Sequence, residues 1–530
     1  MPTALVHFPA LTRAGVDVPK SSKGLAPSTL PSVSYTHAAA LGAAKSVLEP
    51  ESWTVIDGAE NITVGPETTH ELYLTDYDLI PFEQLLGAGV SVNSKPHQEL
   101  EGETTSSDSV QRSNRQAQCS SYVIRKALIR KHHLASTLHL HSVKQKSISS
   151  IGTGKTAEDC TPRTWHIELQ YADDLDELLI DELYDLAQSI SEAKERRETR
   201  WFILKPGMSD RGHGIRLFNS IEMLRAELEH LDAEHSDEED SQAGDNDDGR
   251  AAGGHDDEDG MLGQLRHFVI QEYISRPLLL DPPVLSNTDS LLKSQVGQGR
   301  KFHLRAYVLC VGGLQVYLFD EMLALFAPVP YTSPSYSAED YSSDHVDLSA
   351  HLTNTCLQNK EAIKRGGRPS EENVHLWSDL KGTCVRQIGS SDDSRHLTDE
   401  HLTHVHQQVA ATVGQVFEAC AKAGSIHWQM WPNAWEIFGV DLLVGWDLQD
   451  EPTQGPDEDF SKLRVWLLEV NAQPDFAQTG ERLSSIVDGV FKRSLEIAVL
   501  GKGPRQVKWK VGQSRSGMTL CFDEELIKDV

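Results

Sequence analysis

The stretch Val465-Trp466-Leu467-Leu468-Glu469-Val470-Asn471-Ala472-Gln473-Pro474 constrains this chain more than any other, because it reads as a buried strand that ends in a carboxylate and an amide. Residues two apart share a face of a strand, so Glu469 and Asn471 are expected on one side, with Leu468 and Val470 on the other. Burying a carboxylate is costly unless it is paired or bound to metal. Hard oxygen ligands at the end of a buried strand suit Mg²⁺, which commonly brings nucleotide phosphates with it. A second apolar run, Trp435 to Val444, carries Asp441 and is expected to pair with the first across the acidic loop from Asp447 to Asp459. The pair would set two carboxylates and one amide side by side. The plain alternative is a strand-end acid paired with an arginine or a loop amide.

The 530 residues suffice for two or three domains with their own cores. A hydrophobic content of 39% is low for a wholly compact protein, so part of the chain is expected outside any core. Acids outnumber bases 79 to 49, and the net charge of −30 argues against nonspecific contact with nucleic acid or anionic membrane. The seven scattered cysteines lack ligand spacing and predict a reducing compartment without a disulfide framework. The N-terminus has no basic stretch followed by an apolar one, and no run approaches the roughly 18 apolar residues of a membrane span. The expected location is cytoplasmic.

Residues 1–94 form a region of uncertain fold with short strands expected at Trp53–Ile56 and Leu72–Leu74, and residues 95–120 read as a linker. The main domain is expected over 121–500, followed by a tail over 501–530. Helical spacing marks Tyr122–Leu140, Asp174–Lys194, Ser220–His230 and Thr398–Ala423, the last ended by Gly424. Arg125, Lys126, Arg130 and Lys131 give the first helix a basic flank. Strands are expected at Trp201–Leu204, Ile215–Phe218 and His267–Gln271, and a hairpin at Phe302–Asp320 turning on Gly312-Gly313. Between Asp232 and Asp259 stand 13 acids and one Arg, with too little apolar surface to offset ordering, so residues 232–260 are expected to be a disordered acidic insertion.

Lys205 follows a buried strand and precedes the glycine-rich stretch Gly207 to Gly214. A lysine is a compact charge for phosphate oxygens, and glycines let backbone N–H groups approach them, although ordinary strand connections look similar. Lys301, His303 and Arg305 alternate with Phe302, Leu304 and Ala306, so they share one face, either solvated or turned toward phosphates. His351-Leu352-Thr353-Asn354 is a polar knot that suits a substrate carboxylate or phosphate, or a simple turn. His401, His404 and His406 read as a helix surface.

In order along the chain, these stretches resemble the tubulin–tyrosine ligase family. The resemblance rests on Arg130-Lys131-His132-His133-Leu134, Trp201 to Pro206, Arg211 to Ile215, Val269 to Ile274 with Pro277-Leu278-Leu279, Lys301 to Arg305, His351 to Asn354, Phe438 to Asp441 and Leu467 to Pro474. It covers roughly residues 120 to 500. It implies an α+β ATP-grasp fold, two lobes whose antiparallel sheets enclose ATP. It implies that Lys205, Lys301, Arg211, Gly212, Gly214 and His303 approach the nucleotide, that Gln271, Glu272, Tyr273 and Ile274 form the adenine hinge, and that Asp441, Glu469 and Asn471 hold Mg²⁺. Lys131, Lys301, Arg305 and Asn354 would act at the reacting groups. The implied reaction is ADP-forming ligation of a free amino acid to a protein acceptor, for which the tubulin C-terminal tail is the family's example. Two departures stand out: His303 occupies a position that is acidic in many members, and Glu321 to Phe326 lacks an arginine. These departures resemble fungal members and leave a second reading open, a nucleotide-binding scaffold with weak or no catalysis. The basic flank of the first helix is the expected contact for an acidic tail.

Overall fold

The computed structural model describes residues 1–9, 34–59, 70–87, 117–148, 156–207, 214–242, 266–283, 297–335, 346–353, 371–386, 395–446, 460–502 and 509–524, with the backbone alone for 232–242 and 371. Three sheets organise them.

The large sheet is antiparallel and centres on β10 (Arg300–Val311). This strand pairs with β11 (Gln315–Phe319), β12 (Leu323–Phe326) and β15 (Trp435–Trp446), and β15 pairs with β16 (Leu463–Ala472). Every residue of β15 is buried, because both faces of the sheet are covered. Leu304, Ala306, Val308 and Cys310 pack against Val405, Val409 and Phe417 of the Asp399–Ala423 helix. Tyr307 and Leu309, on the other face, pack with Phe491 and Leu495 of the Ser484–Ala498 helix. Lys301, His303 and Arg305 share the second face, as their alternation requires.

The hairpin after β10 departs from its expected two-residue turn. Val311 pairs with Gln315, so three residues turn, and positive φ falls on Gly312 (62°) and Leu314 (111°). Leu314 is 1% exposed, and burying its side chain in the core accompanies the unusual backbone.

The smaller antiparallel sheet has the order β5 (Thr164–Leu169), β8 (Arg266–Glu272), β6 (Phe202–Pro206), β7 (Arg216–Phe218). Phe202, Leu204, Phe218 and Ile270 bury one face against Leu186, Leu224 and Leu228 of two helices. One of these, Ile221–Gln242, runs into the segment expected to be disordered. Leu224, Leu228 and Leu231 anchor its first half, and Ala233 and Glu234 are good helix formers that carry it onward. Residues 243–260 of the expected insertion lie outside the described residues.

Two expected helices are broken. The first divides at Arg130, which is extended (φ −99°, ψ 119°), into Lys126–Ile129 and Lys131–Ile148. The second divides into Leu175–Leu178 and Tyr184–Glu195, and the turn between them buries Leu183 beside Leu175 and Leu186.

The third sheet is parallel. Its order is β2 (Thr54–Asp57), β1 (Thr3–His7), β3 (Leu72–Thr75), β4 (Gln118–Cys119), with the helix α1 (Tyr35–Leu48) between β1 and β2 in the chain. β2 and β3 fall where short strands were expected, whereas β1 and β4 were not legible as strands. β4 lies within the stretch read as linker. Ala4, Val6, Ala40 and Leu48 share one core with Tyr307, Trp435 and Phe491, so this unit is packed onto the large sheet.

Candidate active site

Register across three strands builds the centre of the site. Arg305 on β10 faces Asp441 on β15, and Asp441 faces Glu469 on β16. Gly439 faces Asn471. A Cβ at Gly439 would stand 2.9 Å from Pro474 Cβ and 3.4 Å from Arg305 Cδ, so glycine keeps this crossing open. The pairing shifts after Asp441: Leu442 faces Leu467, leaving Leu468 as the extra residue of a bulge. Leu468 and Glu469 therefore both line the cleft, which corrects the expectation that Leu468 points away.

The carboxylates are tied into one network. Arg305 engages Asp441 through Nε and through Nη2, the latter donating to Oδ2 at 3.0 Å. The Asn471 amide donates to Asp441 Oδ2 at 3.2 Å and to Glu469 Oε1 at 3.4 Å. Lys131 Nζ lies 3.4 Å from Glu469 Oε2. Burial works against a charged Glu469, but Lys131, Lys205, Arg305 and the Asn471 amide outweigh it and hold its pKa at about 2. His303 Nε2 is 3.6 Å from Asp441, and its Nδ1 hydrogen-bonds Thr353 Oγ1. Burial lowers the His303 pKa, so the ring is neutral at physiological pH.

Two lysines arrive from the facing sheets. Lys205, at the end of β6, donates to Gln271 Oε1 at 2.6 Å. Lys301, at the start of β10, donates to the Tyr273 hydroxyl at 3.2 Å and lies 4.4 Å from that ring's centroid. Burial lowers both pKa values, Lys205 to about 8 and Lys301, with Lys205 nearby, to about 7. Ile203, Ile215, Ile274, Leu443 and Leu468 make the walls of the hollow between the sheets apolar. This hollow of about 90 Å³ joins one of about 260 Å³ at Lys131, Lys205, Gln271, Leu468 and Glu469. An apolar slot that ends in several cations suits a flat ring carrying a polyanion.

Gln271, Glu272, Tyr273 and Ile274, expected as the adenine hinge, all line the hollow between the sheets. The Tyr273 ring turns into a satellite core with Trp201, Leu217 and Tyr331, and its hydroxyl bonds His351 Nδ1 at 2.8 Å. The Glu272 and Tyr273 N–H groups donate to the Arg163 and Trp201 carbonyls. Gly214 has φ of 70°, and a Cβ there would stand 2.7 Å from Pro206 Cγ. Arg211, Gly212 and Asn354 lie outside the described residues. Arg125 is buried, pairs with Glu436 at 3.0 Å and lies on the Tyr77 ring, so it does not belong to a surface basic patch. Burial of its apolar surroundings, invisible in a helical-wheel reading, makes the difference.

The sequence reading missed a stack of imidazoles beside the cleft. His267, His132, His133 and His427 follow one another with ring centroids 4.3, 4.2 and 3.8 Å apart. The stack seats the start of the Lys131–Ile148 helix against β8. At Gly207 a Cβ would stand 2.7 Å from His132 Nδ1, so the glycine admits this close packing. The adjacent pair His132-His133 was the only signal available in the sequence.

The donor set Asp441, Glu469 and Asn471 fits a hard cation. Asn471 touches both carboxylates, and rotating its amide by a half-turn would present Oδ1 instead of Nδ2. His401, His404 and His406 are half-buried on the Asp399–Ala423 helix, where His401 stacks on the Phe460 ring, His404 meets Gln408 and His406 lies 3.4 Å from Asp320.

The Tubulin-tyrosine ligase family profile matches residues 177–506. A probable tubulin–tyrosine ligase of Schizosaccharomyces pombe is 36% identical over 401 residues, covering 74% of this chain and 80% of that protein. The chain belongs to the tubulin-tyrosine ligase family. The probable tubulin–tyrosine ligase PBY1 of Saccharomyces cerevisiae is 36% identical over 384 residues, covering 72% of this chain but 42% of that longer protein. The crystal structure of the C-terminal domain of K. lactis Pby1, an ATP-grasp enzyme described as interacting with the mRNA decapping enzyme Dcp2, superposes with a TM-score of 0.52 at 24% identity, covering 98% of this chain and 99% of that one. The fold is therefore the α+β ATP-grasp fold. The family profile begins after the parallel sheet and the Lys131–Ile148 helix, so these lie outside the matched span.

Proposed function

We propose that this protein is an ATP-dependent, ADP-forming ligase that joins a free amino acid to a protein carboxylate, with the tubulin C-terminal tail as the leading acceptor. One observation carries this reading. Lys131, Lys205, Lys301 and Arg305 converge from both antiparallel sheets and the intervening helix on Asp441 and Glu469. An excess of buried cations over carboxylates at one end of an apolar slot is balanced by a bound polyphosphate.

In this reading Gln271 to Ile274 border the adenine, and Lys205 and Lys301 meet the phosphates. Asp441, Glu469 and the Asn471 amide oxygen would hold Mg²⁺, which when bound neutralises phosphate charge. Arg305 and Asn354 orient the acceptor carboxylate. An oxygen of that carboxylate takes the γ-phosphoryl group as ADP leaves. The amine, having lost its proton, then attacks the carbonyl carbon and displaces phosphate. The chain's contribution is positioning and charge neutralisation. The acceptor assignment rests on the names of the yeast relatives.

The test uses the full chain with Mg²⁺, ATP, a free amino acid and a peptide with an acidic C-terminal tail. ADP release that requires both the amino acid and the peptide supports the ligase. A second reading, a nucleotide-binding scaffold, draws on the two-point grip of Arg305 on Asp441, which occupies a carboxylate needed for metal. Nucleotide binding without acceptor-stimulated ADP release, across a panel of acidic peptides and amino acids, would favour the scaffold.

A further inference from the structure

Among the described residues Lys301 Nζ has one hydrogen-bond acceptor, the Tyr273 hydroxyl at 3.2 Å. Both side chains are buried. An ammonium only donates, so the Tyr273 oxygen accepts and its own proton points elsewhere. Two acceptors are in reach of that proton. His351 Nδ1 lies at 2.8 Å, and the Tyr331 oxygen at 3.5 Å, the outer limit of a hydrogen bond. The nearer one sets the direction of the chain: Lys301 donates to Tyr273, and Tyr273 donates to His351.

His351 is held in place for this contact. Its ring is buried and stands edge-on to the rings of Tyr273 and Tyr331, at interplanar angles of 87° and 89°. Its backbone N–H donates to the Leu348 carbonyl at 2.9 Å, and the Tyr331 hydroxyl donates to the Ser275 carbonyl at 3.2 Å. Val346 and Tyr331 share a satellite core with Trp201 and Tyr273, which fixes the segment bearing His351 against the sheets. Burial, with the charge of Lys301 adding to it, lowers the His351 pKa to about 4. The ring is therefore neutral near pH 7, and Nδ1 keeps its lone pair for Tyr273.

We propose that His351 is a positioning residue for Lys301: by accepting the Tyr273 proton it turns the hydroxyl lone pair toward the ammonium, and so keeps that cation charged and aimed at the anion site. This role rests on the nucleotide half of the ligase reading and needs no acceptor protein. Without His351 the Tyr273 proton is free to turn to an uncharged Lys301 amine, and the hydrogen bond reverses. The reversed bond stabilises the neutral lysine, which attracts phosphate oxygens far less. Of the charged groups lining the same hollow, Lys131 and Lys205 favour neutral Lys301, while Glu272, Asp441 and Glu469 oppose them. His303, neutral through burial, adds no charge. The Tyr273–His351 pair works with the acids, at hydrogen-bond distance.

The experiment compares the wild type with His351→Leu, His351→Asn and Tyr273→Phe, each as the full chain. Asparagine keeps an acceptor oxygen near the place of Nδ1. The titration of Lys301 is read in nucleotide-free protein, from the pH dependence of its labelling by a small amine reagent resolved by mass spectrometry. Affinity for a Mg²⁺–ATP analogue is read by calorimetry at pH 6, 7 and 8. In His351→Leu, Lys301 is expected to titrate about one pH unit lower than in the wild type. Nucleotide affinity is then expected to fall about fivefold at pH 7 and about tenfold at pH 8, but only about twofold at pH 6. Tyr273→Phe keeps the ring and is expected to shift Lys301 in the same direction, and adding His351→Leu to it is expected to change little more. His351→Asn is expected to restore both readouts. A loss of affinity equal at all three pH values, an unshifted Lys301 titration, or no rescue by asparagine overturns the proposal. The shift and its rescue, with no nucleotide bound by any of the proteins, would leave the Lys301 chain standing and overturn the nucleotide reading.

Discussion

Two arginine–carboxylate pairs hang on opposite faces of β15. Glu436 and Asp441 are five residues apart on a strand of period two, so one points to the helical core and the other to the cleft. Arg125 Nε lies 3.0 Å from Glu436 Oε1 as an ion pair, Glu436 Oε2 accepts from the Tyr122 N–H at 3.0 Å, and Arg125 Nη1 donates to the Tyr122 carbonyl at 3.2 Å. That cluster balances one cation with one anion. Around Asp441 and Glu469 stand Lys131, Lys205, Lys301 and Arg305, which in the proposed reading would meet a bound polyphosphate. The same pairing chemistry thus closes a core in one place and, in the proposed reading, borders an anion site in the other.

The largest expected effect breaks the closed pair. Glu436→Ala leaves Arg125 buried without its carboxylate and should cost about 3–5 kcal/mol of stability, read by chemical denaturation. Folded protein should still bind a Mg²⁺–ATP analogue with wild-type affinity. A loss of affinity in the folded variant would mean the two pairs are coupled through β15. Next comes the open cluster. Glu469→Gln should lower ATP turnover by about a hundredfold or more and abolish the thermal shift caused by Mg²⁺–ATP. Its unliganded melting temperature should change much less than that of Glu436→Ala. If the two variants lose stability equally, the cleft cluster is a structural pair after all.

The contrast between the pairs was only half legible in the sequence. Asp441, Glu469 and Asn471 could be placed together because an apolar strand with two polar residues on one face has few explanations, and strand period is local. Lys301, His303 and Arg305 fell on one face for the same reason. Arg125 was misplaced as surface charge because its partner lies 311 residues onward, and a tertiary ion pair leaves no local trace. The Leu468 bulge was equally hidden, since one inserted residue changes no composition yet turns a side chain into the cleft. The parallel sheet escaped for a related cause: β1 and β4 are short and depend on distant partners.

The two clusters also differ in how they respond to protons. Burial raises the Glu436 pKa to about 7 from its ordinary 4.5, with Arg125 opposing, so the folded state holds more protons than the unfolded chain between these values. Its contribution to stability is complete below about 4.5 and is lost as pH rises through 7. Glu436→Gln should flatten that slope in denaturation curves taken from pH 5 to 8.

Lys301 slopes the other way. Its folded pKa is about 7 against 10.5, so the unfolded chain binds more protons in that window and stability rises with pH across it. Phosphate oxygens beside the ammonium favour its charged form, so nucleotide binding above pH 7 must take up a proton. Affinity for a Mg²⁺–ATP analogue should therefore fall about fivefold between pH 7 and 8, as a single group of this pKa becomes deprotonated. Calorimetry in two buffers of different ionisation enthalpy would read the proton directly. In Lys301→Met the uptake should drop, leaving the smaller share from Lys205, whose pKa lies near 8. Equal proton uptake in the variant and the wild type would move the anion contact from Lys301 to another cation of the cluster.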